Sequence, residues 1–301
     1  MRVAITGSTG LIGSALASSL HQSGDTVVRL VRRPPSGPQE VRFDPAAPDG
    51  GLSPADLAGV DAVVHLAGAP IASGRWTQAR KKELRDSRVG TTTAIVGAMR
   101  AAKVPVLISG SAIGWYGDTG NRVVDESAPS GSDFLATVVR EWEAATAPAS
   151  ADGIRVVNLR SGIVLSGNGG MLPQLLLPFR LGLGAKFGAG RQYISWIEID
   201  DHIRAVRFLL GRDDQAGPVN LTAPNPATNA ELTKALAAAL HRPALFAVPA
   251  PALRLALGEM STEILSSCRA VPARLGQAGF EFRYPELGPA LAAAIGGRAG
   301  R

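Results

Sequence analysis

Residues 2–13 read RVAITGSTGLIG, and the rest of the chain follows from them. A short β-branched run stops at glycine, and apolar residues then recur at helical spacing from 11 to 21 until Gly24 closes the pattern. In a strand–turn–helix setting each of the three glycines has a physical purpose. Gly7 makes the turn, Gly10 lets the backbone approach a diphosphate, and Gly13 lets the helix pack close to the strand. The free N–H groups and positive dipole end at the mouth of that helix favour an anion. Gly7, Thr9, Gly10, Leu11, Ile12 and Gly13 are therefore the candidate dinucleotide-binding residues. Glycine serves any tight turn, but the strand before it and the helix after it favour the binding reading.

Working outward, the next strand is TVVRLV, 26–31. A site for NAD places an acidic residue about 20 residues past the glycines to hold the ribose 2′-hydroxyl. Here that position holds Arg32 and Arg33, with no carboxylate. A guanidinium fork suits a phosphate, so the pair selects NADP(H). Further apolar runs at 61–66, 105–109 and 154–159 alternate with helical patterns over 81–102 and 134–147. Alternation of this kind implies parallel crossovers, giving an α/β, Rossmann-type, doubly wound parallel sheet. Past residue 161 the texture turns glycine-rich, which marks a smaller C-terminal substrate lobe. The expected division is a nucleotide-binding domain over 1–160, with 195–222 returning to it, and a lobe formed by 161–194 and 223–301. Residues 229–240 open a helix with Asn229 as N-cap, and GFEFRYPEL, 279–287, reads as a short aromatic-bearing strand.

Composition bounds the function. The chain has 301 residues, of which 46% are hydrophobic and 19% charged, a net charge of +6 and one cysteine, Cys268. A core of ample size is available at this length, and a disulfide framework is excluded. No run of about 18 apolar residues is present, and the N-terminus lacks a signal-peptide pattern, so the expected location is cytoplasmic with no membrane partner. Basic residues are scattered, and aromatics do not interleave with them as a stacking platform requires, so no nucleic-acid partner is expected. The four histidines and Cys268 lack metal-ligand spacing, so no metal site is expected.

Three segments, TGSTGLIG, HLAGAPI (65–71) and SGSAIGWYG (109–117), together resemble the extended short-chain dehydrogenase/reductase superfamily. WEAAT, LRSGIVLSGNGGMLP, PFRLGLGAKFGAGRQYISWIEIDD, GPVNLTAPNPATNAEL and GFEFRYPEL narrow the likeness to NADP-binding "epimerase family" proteins with a C-terminal domain of unknown function. It spans nearly the whole chain. The resemblance implies that Leu66, Ala67 and Gly68 line the cofactor, that Glu83 and Arg88 approach it from the following helix, that Ser109 and Arg160 also bind it, and that Ser111 lies with Ser109 at the strand end where such sheets hold their ligands. Segments holding Asn168, Gln192, Ser195 and Trp196 would approach the pocket. Partners implied are a small-molecule substrate and, with room left for it, a second copy of the chain.

Relatives exchange a proton through a Tyr whose pKa is lowered by a Lys four residues on, both on one helix face. The matching helix here, DFLATVVREWE (133–143), has neither. Aligning Glu143 with the acid that often follows the motif puts Leu135 at the Tyr position and Val139 at the Lys position. Ser111 and Tyr116 are then the catalytic candidates. Asp125 and Glu126 read either as acids in the cleft or as a solvated loop. Two functions remain: an NADP(H)-dependent oxidoreductase or epimerase acting on a small carbonyl, alcohol or nucleotide-sugar-like substrate, and a non-catalytic NADP(H)-binding regulator linked to cell division.

Overall fold

The computed structural model describes residues 1–47 and 51–296. Seven parallel strands form the central sheet: β1 (Arg2–Thr6), β2 (Thr26–Val31), β3 (Glu40–Arg42), β4 (Ala62–His65), β5 (Val106–Ala112), β6 (Arg155–Ser161) and β7 (Gly217–Leu221). Their spatial order is β7-β6-β5-β4-β1-β2-β3. The order reverses between β1 and β4, and ligands of doubly wound sheets bind at the carboxyl ends of strands flanking such a switch.

Buried Val3, Ile5, Val64, Ile108, Val157 and Leu159 pack on one face against α1 (Leu11–Gln22) and α5 (Ile199–Leu210). Ala4, Val63, Leu107 and Val156 pack on the other face against α2 (Gln78–Ala102), with α3 (Phe134–Ala144) beside it. Burial on both faces explains the nearly continuous apolar runs in these strands.

A third cluster centres on Trp196 and joins α4 (Leu172–Arg180), α6 (Asn229–Leu240) and α7 (Leu287–Gly296). Thr228, one residue earlier than the sequence suggests, caps α6, and a reciprocal bond with Glu231 completes a capping box. Asn229 accepts a bond from the Phe187 N–H instead.

The strand expected in GFEFRYPEL does not form. The Arg283 and Tyr284 N–H groups donate to the Asp201 carboxylate at 2.9 and 2.8 Å, so a side chain supplies what a neighbouring strand would have supplied. Phe280 and Phe282 still pack into the α1/α5 core.

Candidate functional site

The glycine turn sits where β1 meets α1. Gly7 has φ +65°, and a Cβ there would lie 2.9 Å from the backbone of Leu66. Strand β4 therefore lies directly behind the turn. Thr6 Oγ1 accepts the N–H groups of Leu66 and Ala67 at 3.0 and 3.2 Å and meets His65 Nδ1 at 2.7 Å, which ties the two strand ends together. At the mouth of α1, Gly10 is the N-cap and offers no side-chain cap, which leaves first-turn N–H groups free for an anion. Ser8 Oγ is buried there with no hydrogen-bond partner among the described residues. An open helix mouth beside an orphaned hydroxyl is the donor set that a diphosphate satisfies. Thr9 is exposed at the rim, and the Leu11 side chain is the surface that Cβ atoms at Gly169 and Gly170 would meet at 3.3 and 3.4 Å, so the SGNGG loop overlies the turn. Ile12 packs against the α1/α5 core.

At the end of β2 the two arginines diverge. Arg32 is exposed and has no hydrogen-bond or ion-pair partner among the described residues. Arg33 forms a two-pronged pair with Glu40, Nη2–Oε1 2.6 Å and Nη1–Oε2 2.8 Å. On α2, Arg88 is buried, donates to the Leu84 and Ala69 carbonyls and lies 5.2 Å from the Trp142 ring centroid. No carboxylate pairs with it among the described residues, and burial lowers its pKa to about 10. A Cβ on Gly68 would meet its guanidinium at 3.5 Å, so this cation stands beside the HLAG loop. Glu83 is exposed and paired with Arg80 at 2.6 Å; Arg80 in turn holds Pro70 and Ser73 of the loop that precedes α2.

Ser109 and Ser111 are buried near the carboxyl end of β5. Ser111 Oγ donates to Glu143 Oε1 at 2.6 Å. Glu143 is gripped by Arg160, Nε–Oε1 2.8 Å and Nη2–Oε2 2.9 Å, and Arg160 Nη1 donates to the Tyr116 hydroxyl at 3.1 Å. Tyr116 donates onward to Asn220 Oδ1 at 2.7 Å. Arg160 also stacks 3.9 Å from the Trp115 ring centroid and is 2% exposed. Both phenol hydrogen-bonding roles are thus taken within the protein, and burial pushes Tyr116 up to about 12. Geometry makes Tyr116 a strut under the site, poorly suited to donate a proton near neutrality. Arg160 likewise points four of its five donors at Glu143, Tyr116 and the Glu126 carbonyl, away from a cofactor role. Glu126 Oε1 receives the Asn220 and Arg274 N–H groups. Leu135 and Val139 are buried, and a Cβ on Gly114 would meet them at 3.5 and 3.7 Å. Gln192 holds the Phe187 and Ile264 carbonyls, Ser195 holds the Cys268 and Ala270 carbonyls, Trp196 is core and Asn168 is exposed. Burial raises the Cys268 thiol to about 12, which makes it inert.

The sequence profile of the NAD dependent epimerase/dehydratase family matches residues 3–222, and that of a domain of unknown function, DUF1731, matches 248–294. The chain belongs to the NAD-dependent epimerase/dehydratase family. An epimerase family protein of Mycobacterium bovis is 47% identical over 290 residues, covering 96% of each chain. The human epimerase family protein SDR39U1 is 36% identical over 299 residues, covering 97% of this chain and 98% of the human one. A crystal structure of that human protein (isoform 2) with NADPH superposes with a TM-score of 0.88 at 33% identity, covering 98% and 99% of the two chains. Membership of this family agrees with the extended short-chain dehydrogenase/reductase architecture described above. No helix among the described residues is long and apolar enough to cross a membrane.

Buried titratable groups make stability depend on pH. His65 and His202 are fully buried and desolvation lowers both to about 4. Unfolding lets each bind a proton between pH 6.5 and 4, so stability falls as pH drops through that window, by about 3 kcal/mol per histidine at its foot. Glu198 opposes them: burial raises it to about 7, so its favourable contribution is full below pH 4.5 and lost as pH rises through 7. Half-buried Glu263, also raised to about 7, acts in the same direction as Glu198. Glu198→Gln removes one of the two opposing contributions, and its urea midpoint is expected to fall more steeply than that of the wild type between pH 7 and 5. Parallel midpoints in the two proteins would contradict this account.

Proposed function

We propose that this protein binds NADP(H) at the mouth of α1 and transfers a hydride to or from a small carbonyl or alcohol substrate of nucleotide-sugar-like character. The observation that carries the reading is an uncapped helix mouth with an orphaned Ser8 hydroxyl, together with an unpaired Arg32 where a carboxylate would select NAD. That the human relative was crystallised with NADPH supports it. The first-turn N–H groups and Ser8 would hold the diphosphate, Arg32 the ribose phosphate, and Arg88 a further negative oxygen near the HLAG loop. The nicotinamide, when bound, supplies or accepts the hydride.

Proton handling falls to the chain's own residues. Ser111 gives its one hydrogen to Glu143, so toward the cleft it offers only lone pairs. Such a hydroxyl receives a substrate O–H. As that proton moves to Ser111 Oγ, the Ser111 proton moves to Glu143, and one O–H bond forms for each that breaks. Glu143 thereby stands in for the missing Tyr/Lys pair, reaching the cleft through Ser111. The non-catalytic regulator is the second reading, favoured by the aliphatic residues that fill positions 135 and 139.

Titration with NADPH and NADH, then a screen of NADPH oxidation across sugar nucleotides, ketones and quinones, tests both. NADPH is expected to bind more tightly. Arg32→Ala should weaken NADPH about tenfold, the worth of one charge-assisted phosphate contact, and move NADH less than twofold. An unchanged NADPH/NADH ratio in Arg32→Ala would remove the phosphate-recognition step. Turnover in the screen selects the enzyme reading, and tight NADPH binding without turnover selects the regulator.

A further inference from the structure

Arg32 and Arg33 are adjacent in sequence, yet their surroundings differ. Arg33 Nη1 donates to the Pro34 carbonyl at 2.9 Å, to Ser36 Oγ at 3.1 Å and to Glu40 Oε2 at 2.8 Å, while Nη2 donates to Glu40 Oε1 at 2.6 Å. Glu40 Oε2 also accepts the Ser36 N–H and hydroxyl at 2.7 and 2.8 Å. The carboxylate is 12% exposed, begins edge strand β3 and closes the loop from 33 to 40 on itself. These bonds hold the carboxylate well below its usual range, to about 2, so it is charged throughout the physiological span.

We propose that Glu40 limits the preference for NADP(H), by withholding Arg33 from the ribose phosphate and leaving Arg32 as the single working cation of that subsite. This rests on the NADP(H) reading above. The Nη1/Nη2 edge of Arg33 faces Glu40 and cannot face a phosphate at the same time, and the charge left on its Nε side is offset by the adjoining carboxylate. The two anions compete for one cation. Glu40 competes from within the chain, and to leave it Arg33 must also give up its bonds to Pro34 and Ser36. The Arg33 side chain is half exposed, so the pair itself is of modest strength and its removal shifts affinity by a limited factor. Glu40 also places a negative charge near the phosphate's approach, which acts in the same direction. NADH lacks the 2′-phosphate and escapes both effects.

The test uses the full chain in three forms: wild type, Glu40→Gln, and Glu40→Gln with Arg33→Ala. NADPH and NADH dissociation constants are measured by coenzyme fluorescence at low ionic strength, where exposed charges are least screened. Glu40→Gln is expected to tighten NADPH about fivefold and to leave NADH within twofold of wild type. The added Arg33→Ala should erase that gain, since the freed fork produced it. In a crystal of the wild type with NADPH, both Arg33–Glu40 bonds should persist with the phosphate on Arg32. Unchanged or weaker NADPH binding by Glu40→Gln, loss of both coenzymes by that variant, a gain that survives Arg33→Ala, or an Arg33 swung onto the phosphate in the crystal would each overturn the proposal. Failure of the wild type to bind either coenzyme would instead overturn the NADP(H) reading on which it rests.

Discussion

Glu143→Leu is expected to cost about 3–5 kcal/mol of stability, because it strands the Arg160 guanidinium in the interior. Arg160 is 2% exposed and draws two of its bonds from Glu143. With the carboxylate gone, its charge meets the Tyr116 oxygen and ring, the Glu126 carbonyl and the face of Trp115. Those contacts are too weak to replace the hydration it lost. The double substitution Glu143→Leu/Arg160→Met removes both charges and should recover most of the loss, since apolar residues of similar volume often match a buried ion pair. Urea unfolding midpoints of the three proteins measure this. A single-variant loss below about 1 kcal/mol would mean that water reaches the pair, in line with surface ion pairs. Recovery of stability without recovery of turnover in the double variant would further separate the scaffold duty of the pair from its duty toward Ser111.

That same pair shows what the sequence could and could not reveal. The glycine turn was legible because its logic is local: a strand, three glycines and a helix lie within two dozen residues, and each glycine answers a steric demand visible in the pattern. The missing acid after β2 was legible for the same reason. Arg33 was read with Arg32 because adjacency in sequence says nothing of a carboxylate seven residues on that reaches back across a loop. The Ser111–Glu143–Arg160–Tyr116–Asn220 chain joins bonded partners up to 104 positions apart, brought together by the register of β5, β6 and β7, and no spacing rule encodes it. Tyr116 attracted a catalytic reading as the nearest phenol to Ser111, and only its burial and its two committed partners show the strut. GFEFRYPEL carries strand-like alternation, yet Asp201 takes its N–H groups, a tertiary claim that overrides local propensity.

The two inner glycines of the turn should separate folding from coenzyme binding. A Cβ on Gly13 would press into the Gly7 carbonyl oxygen and lie 2.8 Å from Gly7 C and 2.9 Å from Ser8 Cα, all backbone atoms of the turn itself. Gly13→Val therefore forces α1 away from β1 and is expected to cost about 3 kcal/mol, at the upper end for overpacking, with NADPH binding lost alongside. Gly10 differs. Its φ is −78°, open to any residue, and the nearest atom to an added Cβ is the Gly7 oxygen at 3.3 Å, a neighbour that needs to give by only a few tenths of an ångström. Gly10→Ala should fold with a melting temperature within about 3 °C of wild type, since the small strain is offset by the lower backbone entropy of alanine in the unfolded chain. Its methyl group nevertheless projects at the exposed mouth of α1, where the diphosphate would meet the backbone, so NADPH and NADH affinity should both fall more than about tenfold. Calorimetric titration of each variant against both coenzymes, with thermal unfolding alongside, reads the contrast directly. A Gly10→Ala protein that binds NADPH as well as wild type would place the diphosphate elsewhere, and the helix mouth would then lose its claim to the coenzyme.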